Sequence, residues 1–172
     1  NFIKLVKNTK VEVGAQNCHH SQSPGPFTGS INADLIKSSG AKYVIIGHSE
    51  NRVTGDTNYD INLKIKAALK KKLKVIFCIG ETLNDKKKNK TNLILKSQIK
   101  KGLKNIKKNK NIIFAYEPVW SIGTGIIPKI DNLEKQVAVI KKMIMKHWSL
   151  KKPTIIYGGS VNEKNIKDLK EI

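Results

Sequence analysis

The chain has 172 residues, 39% of them hydrophobic, which is enough for one domain with a sizeable core. Its two cysteines, Cys18 and Cys78, are too few for a disulfide framework, and no apolar run approaches the ~20 residues of a membrane span. The net charge is +20, but aromatic residues make up only 6% and every basic residue except Arg52 is a lysine, which is not the composition of a base-reading protein.

Short β-branched runs alternate with longer lysine-rich helical patterns along the chain. The predicted strands cover residues 11–14, 43–47, 75–79, 112–115 and 154–157, and most are apolar enough to be buried on both faces of a parallel sheet. The helices are predicted from apolar residues at helical spacing: Ile61, Ile65, Ala68 and Leu69; Leu93, Leu95, Ile99, Leu103 and Ile106; Leu133, Val137, Ile140 and Ile144; and Ile166 with Leu169. This alternation predicts an α/β fold.

Polar or glycine-containing clusters follow every predicted strand, at residues 16–17, 47–50, 80–81, 116–118 and 157–160. Periodicity alone does not separate a barrel from an open doubly wound sheet, but an open sheet concentrates its site at one switch point. Functional residues at the carboxyl ends of consecutive parallel strands are typical of a (β/α)8 barrel, which needs ~250 residues when complete. The lysine run at residues 86–90 is predicted to be a solvated loop or a helix start.

Three motifs carry a resemblance to a known family. They are Ile-Gly-His-Ser-Glu at residues 46–50, Ala-Tyr-Glu-Pro-Val-Trp-Ser-Ile-Gly-Thr-Gly at residues 115–125, and Tyr-Gly-Gly-Ser-Val-Asn at residues 157–162. In order and spacing they resemble the triosephosphate isomerases, and the resemblance runs over essentially the whole chain. It implies a (β/α)8 TIM barrel of which this chain covers about strands 3 to 7. Residues 1–172 would then be a single TIM-barrel domain, incomplete at both ends and inactive alone.

The implied reaction interconverts dihydroxyacetone phosphate and D-glyceraldehyde 3-phosphate through an enediolate, in glycolysis and gluconeogenesis. The resemblance makes Glu117 the catalytic base and His48 the electrophile, roles that general accounts of catalysis already describe for this family. Gly123, in a mobile lid, and Ser160 would bind the substrate phosphate, and Tyr157 and Ser160 would latch the lid. No cofactor is implied, and the adjacent pair His19–His20 does not suggest a metal site.

The resemblance also implies a cytoplasmic homodimer, with a loop around residues 27–29 inserted into the partner subunit. Asn51 stands where the family usually has arginine and Ser30 where it usually has glutamate. Those two family residues commonly pair across the dimer, so we expect a dimer without that ion pair.

The far hinge of the lid also departs from the family. Pro128 has no N–H group, so it cannot donate the latch bond that Tyr157 usually accepts. A weaker latch that depends more on Ser160 is predicted.

Other functions stay open at this point. Another kind of barrel enzyme, one that binds phosphate but catalyses a different reaction, is disfavoured because both His48 and Glu117 are present. A degenerate, non-catalytic barrel and a basic polyanion-binding protein are the remaining alternatives. The lysines are interpreted mainly as a solvated surface, so neither a specific nucleic-acid partner nor a membrane partner is expected.

Overall fold

The computed structural model describes residues 2–23 and 25–170, and these contain one five-stranded parallel sheet. Its strands lie side by side in chain order, which is the strand order of a barrel wall. They are β1 (Gly14–Ala15), β2 (Tyr43–Ile46), β3 (Lys74–Ile79), β4 (Ile112–Tyr116) and β5 (Thr154–Tyr157). The register places Ile46 beside Phe77 and Ile79 beside Tyr116, so the carboxyl ends of β2, β3 and β4 lie at one edge of the sheet.

Helices precede the sheet, connect its strands and follow its last strand. They are α1 (Phe2–Val6), α2 (Ala33–Ser38), α3 (Ser49–Val53), α4 (Asn58–Lys70), α5 (Leu83–Lys87), α6 (Thr91–Gly102), α7 (Ile130–Trp148) and α8 (Ile166–Leu169), with a 3-10 turn at Val119–Ser121. No helix among the described residues is long and apolar enough to cross a membrane.

The core lies between the helices and one face of the sheet. On α4 and α7 the predicted apolar stripes are largely buried, and they pack in one cluster with Phe77 and Phe114 of the central strands. The phenyl rings of Phe77 and Phe114 lie 6.0 Å apart and tilted, an arrangement that aromatic pairs prefer. Burial of these large side chains holds the central strands, and therefore their carboxyl ends, in place.

The expectation that strands are buried on both faces is wrong for the structure described here. Along β2 and the start of β3, fully buried residues alternate with partly exposed ones, and Ile156 of β5 is 43% exposed. Helices cover the face that carries Val44 and Val75, whereas the opposite face carries Ile45 and Ile76. Successive side chains of a strand point to opposite faces, so an apolar run by itself does not show which face is covered.

Three further element predictions need correction. The first strand begins at Gly14, not at Val11, whose side chain is 57% exposed; the carbonyl of Val13 accepts from Lys42 just before the ladder starts. Leu93 is predicted to face the core but is 63% exposed, because Leu95 and Ile99 define the buried face of α6.

The lysine run at residues 86–90 is part helix end and part loop, not a helix start. Its first two lysines end α5, whose first turn is closed by reciprocal hydrogen bonds between Thr82 and Asp85.

Candidate active site

The two predicted catalytic side chains follow β2 and β4, on either side of β3. Gly47 follows β2 with φ +81°, a left-handed conformation that glycine adopts at little cost, and His48 then caps the N-terminus of α3. Glu117 follows β4 directly, and its N–H donates to the carbonyl of Ile79 at 2.8 Å. The structure thus brings His48 and Glu117 together, with Nε2 of His48 3.9 Å from Oε2 of Glu117.

The hydrogen bond that His48 accepts fixes which ring nitrogen carries the proton. Its Nδ1 accepts the backbone N–H of Glu50 at 3.3 Å. An accepting nitrogen must be unprotonated, so the neutral ring carries its proton on Nε2. The Nε2–H group therefore lies on the side of the ring that faces Glu117, where it can donate to a bound oxygen.

Glu117 is a desolvated carboxylate with one oxygen free for chemistry. Its Oε1 accepts from the thiol of Cys78 at 3.3 Å, whereas its Oε2 is buried and has no hydrogen-bond partner among the described residues. Burial raises the pKa of Glu117, opposed by the Cys78 hydrogen bond and by the nearby His48 and Arg52. Burial disfavours the charged form, so the carboxylate is a stronger base than one in water.

Two glycines allow the backbone to approach Glu117 closely. A Cβ added to Gly80 would overlap the backbone carbonyl of Glu117, and one added to Gly158 would lie 2.6 Å from Cγ of Glu117. Such a distance is well inside van der Waals contact. Gly80 follows β3 and packs against the backbone of Glu117, whereas Gly158 follows β5 and packs against its side chain.

Arg52 ties together the loops that carry the two catalytic side chains. Its guanidinium donates to the carbonyl of Gly47 at 2.7 Å, to the carbonyl of Cys78 at 3.1 Å and to Asn58 at 2.9 Å. The rigid, planar guanidinium thereby links Gly47, which precedes His48, to Cys78, whose thiol donates to Glu117. Its fixed positive charge also favours the ionised form of that carboxylate.

Glu81 anchors the start of the segment that follows Glu117. This carboxylate is 2% exposed and accepts from the indole N–H of Trp120 at 2.9 Å and from the hydroxyl of Tyr116 at 3.2 Å. The ammonium of Lys86 lies 3.3 Å from the centroid of the Trp120 ring, a cation–π contact. The indole is thus fixed from both sides where the predicted lid begins.

The predicted lid is an exposed loop with glycines at its tip. Gly123 and Gly125 have φ of +70° and +73°, and a Cβ on either would meet nothing within 4 Å. The N–H of Gly125 donates to Oγ of Ser160 at 3.1 Å, and Ser160 donates to the carbonyl of Ser121 at 2.5 Å. The structure therefore joins the lid to the loop after β5, with Gly123 two residues from this junction.

Tyr157 does not use the backbone of Pro128, in agreement with the absence of an N–H group there. Its hydroxyl lies 2.9 Å from Oγ of Ser121, which in turn donates to the carbonyl of Ile126 at 2.5 Å. Whether the latch is weak and depends mainly on Ser160 stays a prediction.

Comparison with known proteins agrees with this geometry. The family model described as triosephosphate isomerase matches residues 1–172. The chain belongs to the triosephosphate isomerase family. A triosephosphate isomerase of Thermodesulfovibrio yellowstonii is 41% identical over 172 residues, which are 98% of this chain and 70% of that protein. One of Leptospira interrogans is also 41% identical, over 177 residues with the same coverage.

A solved triosephosphate isomerase from Bartonella henselae superposes with a TM-score of 0.89 at 33% identity, covering 98% of this chain and 69% of that one. The predicted family and the α/β TIM-barrel fold are confirmed. The chain spans about 70% of the length of these triosephosphate isomerases.

Sequence reasoning missed the supporting residues of this triosephosphate isomerase site. Arg52 is the single arginine among 33 basic residues, and its rarity in so basic a chain was a signal that this position requires a guanidinium group. For the contact between Cys78 and Glu117 and for the hydroxyl of Ser121 there was no local signal. Those contacts depend on which strands and loops become neighbours.

Replacing Cys78 with alanine is expected to move the acidic limb of the pH profile of kcat/KM to higher pH. The thiol hydrogen bond lowers the pKa of Glu117, so its loss raises that pKa further and a higher pH is needed to ionise the base. A matched control is Cys18→Ala, which removes the other buried thiol. An acidic limb that stays in place or moves to lower pH in Cys78→Ala would refute this role.

Proposed function

We propose that this chain carries the catalytic centre of a triosephosphate isomerase, which interconverts dihydroxyacetone phosphate and D-glyceraldehyde 3-phosphate in glycolysis and gluconeogenesis. The observation that carries the proposal is the pair of facing groups just after β2 and β4. Oε2 of Glu117, which has no hydrogen-bond partner in the described part of the chain, lies 3.9 Å from Nε2 of His48, the ring nitrogen that carries the proton when the ring is neutral.

The two groups divide the reaction between them. Oε2 of Glu117 removes a proton from the hydroxyl-bearing carbon next to the carbonyl, and the electron pair of that C–H bond forms the C=C bond of an enediolate. The Nε2–H of His48 donates to the oxygen on which negative charge develops. The proton of the original hydroxyl passes to the former carbonyl oxygen, and protonated Glu117 returns its proton to the carbon that bears that oxygen. The ketose thereby becomes the aldose without an external oxidant or reductant.

The substrate phosphate is assigned to the loop after β5 and to the lid. Glycine N–H groups in left-handed turns can point together at an anion, and Gly123 and Gly125 have that conformation. Ser160 contacts the lid at Gly125. In this proposal Gly123 and Ser160 bind the phosphate, and closure of the lid keeps water from the enediolate.

The proposed enzyme is a cytoplasmic homodimer. A reducing compartment suits its two buried, unpaired cysteines, Cys18 and Cys78. Asn51 accepts from the side-chain amide of Asn17 at 3.0 Å, and the carbonyl oxygen of that amide accepts from Lys64 at 3.1 Å. The neutral Asn51 is therefore engaged within its own chain, which supports a dimer without a charged pair at this position.

Sedimentation of the full-length protein tests the dimer. We expect the dimer mass at micromolar concentration and little change in dissociation between low and high salt, because salt screens mainly charged pairs. A strictly monomeric protein, or a dimer that falls apart as salt is raised, would count against this account.

A coupled assay on the protein from its complete reading frame tests the activity. Formation of D-glyceraldehyde 3-phosphate from dihydroxyacetone phosphate is followed in the absence and presence of added salt. We expect turnover under both conditions. A folded protein without turnover would favour a degenerate barrel instead, and salt-sensitive RNA binding would then support the polyanion alternative.

A further inference from the structure

Ser121 is a polar residue at the start of the lid. It ends the 3-10 turn at Val119–Ser121 and is completely buried, with 0% exposure. A buried hydroxyl is costly unless its hydrogen bonds are satisfied, so its partners are informative.

The donors and acceptors around the Ser121 hydroxyl can be assigned in only one way. A carbonyl oxygen can only accept, so the Ser121 hydroxyl donates to the carbonyl of Ile126. Its single proton is then used, and the hydroxyl of Tyr157, 2.9 Å away, must donate to Oγ of Ser121. The backbone carbonyl of Ser121 accepts from Ser160. One residue thus joins both ends of the lid to the end of β5 and to the loop that follows it.

Two neighbouring residues leave room for the hydrogen bond between Ser121 and Tyr157 and explain why it is needed. A Cβ on Gly159 would overlap the hydroxyl of Tyr157 and would lie 2.7 Å from Oγ of Ser121, so only glycine leaves room for the hydrogen bond. Pro128 follows Ile126 by two residues and has no N–H group to offer Tyr157. The side chain of Ser121 supplies a partner for the tyrosine hydroxyl in place of a backbone N–H group.

We propose that Ser121 is a positioning residue that holds the lid against the end of β5 by joining the hydroxyl of Tyr157 to the carbonyl of Ile126. This inference rests on the proposed function, because it gives the segment from Gly123 to Gly125 the role of a lid over bound substrate. Among the described residues the hydrogen bonds of Ser121 to other loops and strands go to Ile126, Tyr157 and Ser160, so it acts through the position of the lid.

Loss of the hydroxyl separates the lid from Tyr157 without touching the site. In Ser121→Ala the Tyr157 hydroxyl and the Ile126 carbonyl both lose a partner, and we expect the closed arrangement to be about tenfold less populated. An open lid lets the enediolate break its carbon–oxygen bond to phosphate, which expels inorganic phosphate and leaves methylglyoxal after the enol takes up a proton. The fraction of turnovers that release phosphate should rise about as much.

Hydrogen exchange of the full-length protein tests lid position without relying on activity. We expect the peptide covering residues 121–128 to exchange faster in Ser121→Ala, with peptides of α4 and β3 unchanged. The matched control is Ser39→Ala, which removes a hydroxyl that donates to the Ile36 carbonyl at 2.7 Å, far from the lid in sequence. Unchanged exchange of the lid in Ser121→Ala would overturn the inference, even if the wild-type protein proved inactive.

A double-mutant cycle with Tyr157→Phe supplies the kinetic readout. Because both substitutions break the same bond, their effects on the ratio of phosphate release to isomerisation should be clearly less than additive. Additive effects, or a fall in kcat with an unchanged ratio, would show a merely structural role. If the wild-type enzyme shows no isomerisation at all, the proposed function fails, and the exchange experiment alone decides the role of Ser121.

Discussion

Replacing Glu117 with glutamine is expected to lower kcat by about 10³-fold or more while the fold is retained, since a positioned general base contributes about 10²–10⁴-fold. Glutamine keeps the size of the side chain but cannot take a proton from carbon. The hydrogen bond from Cys78 to Oε1 can persist on an amide oxygen, so the packing around the site changes little. The measurement is a steady-state assay of the full-length enzyme, with circular dichroism to compare folds.

The matched control for this change is Glu134→Gln. Glu134 is an exposed residue of α7, so its replacement is the same chemical change made outside the proposed site. We expect its kcat to stay within about twofold of wild type, as surface substitutions usually have small effects. Equal losses in the two variants, or a Glu117→Gln enzyme with more than a tenth of wild-type kcat, would remove Glu117 as the base.

Replacing Gly80 with alanine is expected to reduce the free energy of unfolding by about 3 kcal/mol or more, at the upper end of overpacking costs. The added Cβ would overlap the backbone carbonyl of Glu117, and that backbone is held by its hydrogen bond to Ile79. Relief therefore requires β3 and β4 to separate at their carboxyl ends. Because Glu117 moves with this backbone, the protein that still folds should also lose most of its activity.

Gly102→Ala gives a graded comparison. A Cβ there would approach the ring of Phe77, a side chain, at 2.5 Å, and alanine at the end of α6 also gains helix propensity. Urea unfolding should therefore show a smaller loss for Gly102→Ala than for Gly80→Ala. The reverse order would mean that the close approach of β3 to Glu117 is not what requires glycine at position 80.

The secondary structure was predictable wherever apolar periodicity coincided with burial. The stripe from Leu133 to Ile144 predicted α7 because its four apolar positions are all buried. The same reasoning misplaced the first strand, because Val11 is β-branched but 57% exposed, and propensity does not report which residues find a ladder partner. Apolar runs also overstated burial of the second face of the sheet.

The catalytic pair could be predicted from its motifs, but the features that determine its chemistry could not. His48 and Glu117 stand at the ends of recognisable strand motifs. The proton on Nε2 of His48 depends on a backbone contact with Glu50, and the free oxygen of Glu117 depends on Cys78 taking the other one. These contacts arise only when three strands meet at one edge of the sheet.

Deuterium incorporation during turnover tests whether a proton passes through Glu117. The full-length enzyme is given dihydroxyacetone phosphate in D2O, and the D-glyceraldehyde 3-phosphate and remaining substrate are analysed by proton NMR. Transfer of a proton through Glu117 exposes it to exchange with solvent, so the account predicts carbon-bound deuterium in product and recovered substrate, lost together with turnover in Glu117→Gln. Rapid isomerisation with no carbon-bound deuterium would indicate direct hydride transfer and would contradict the account.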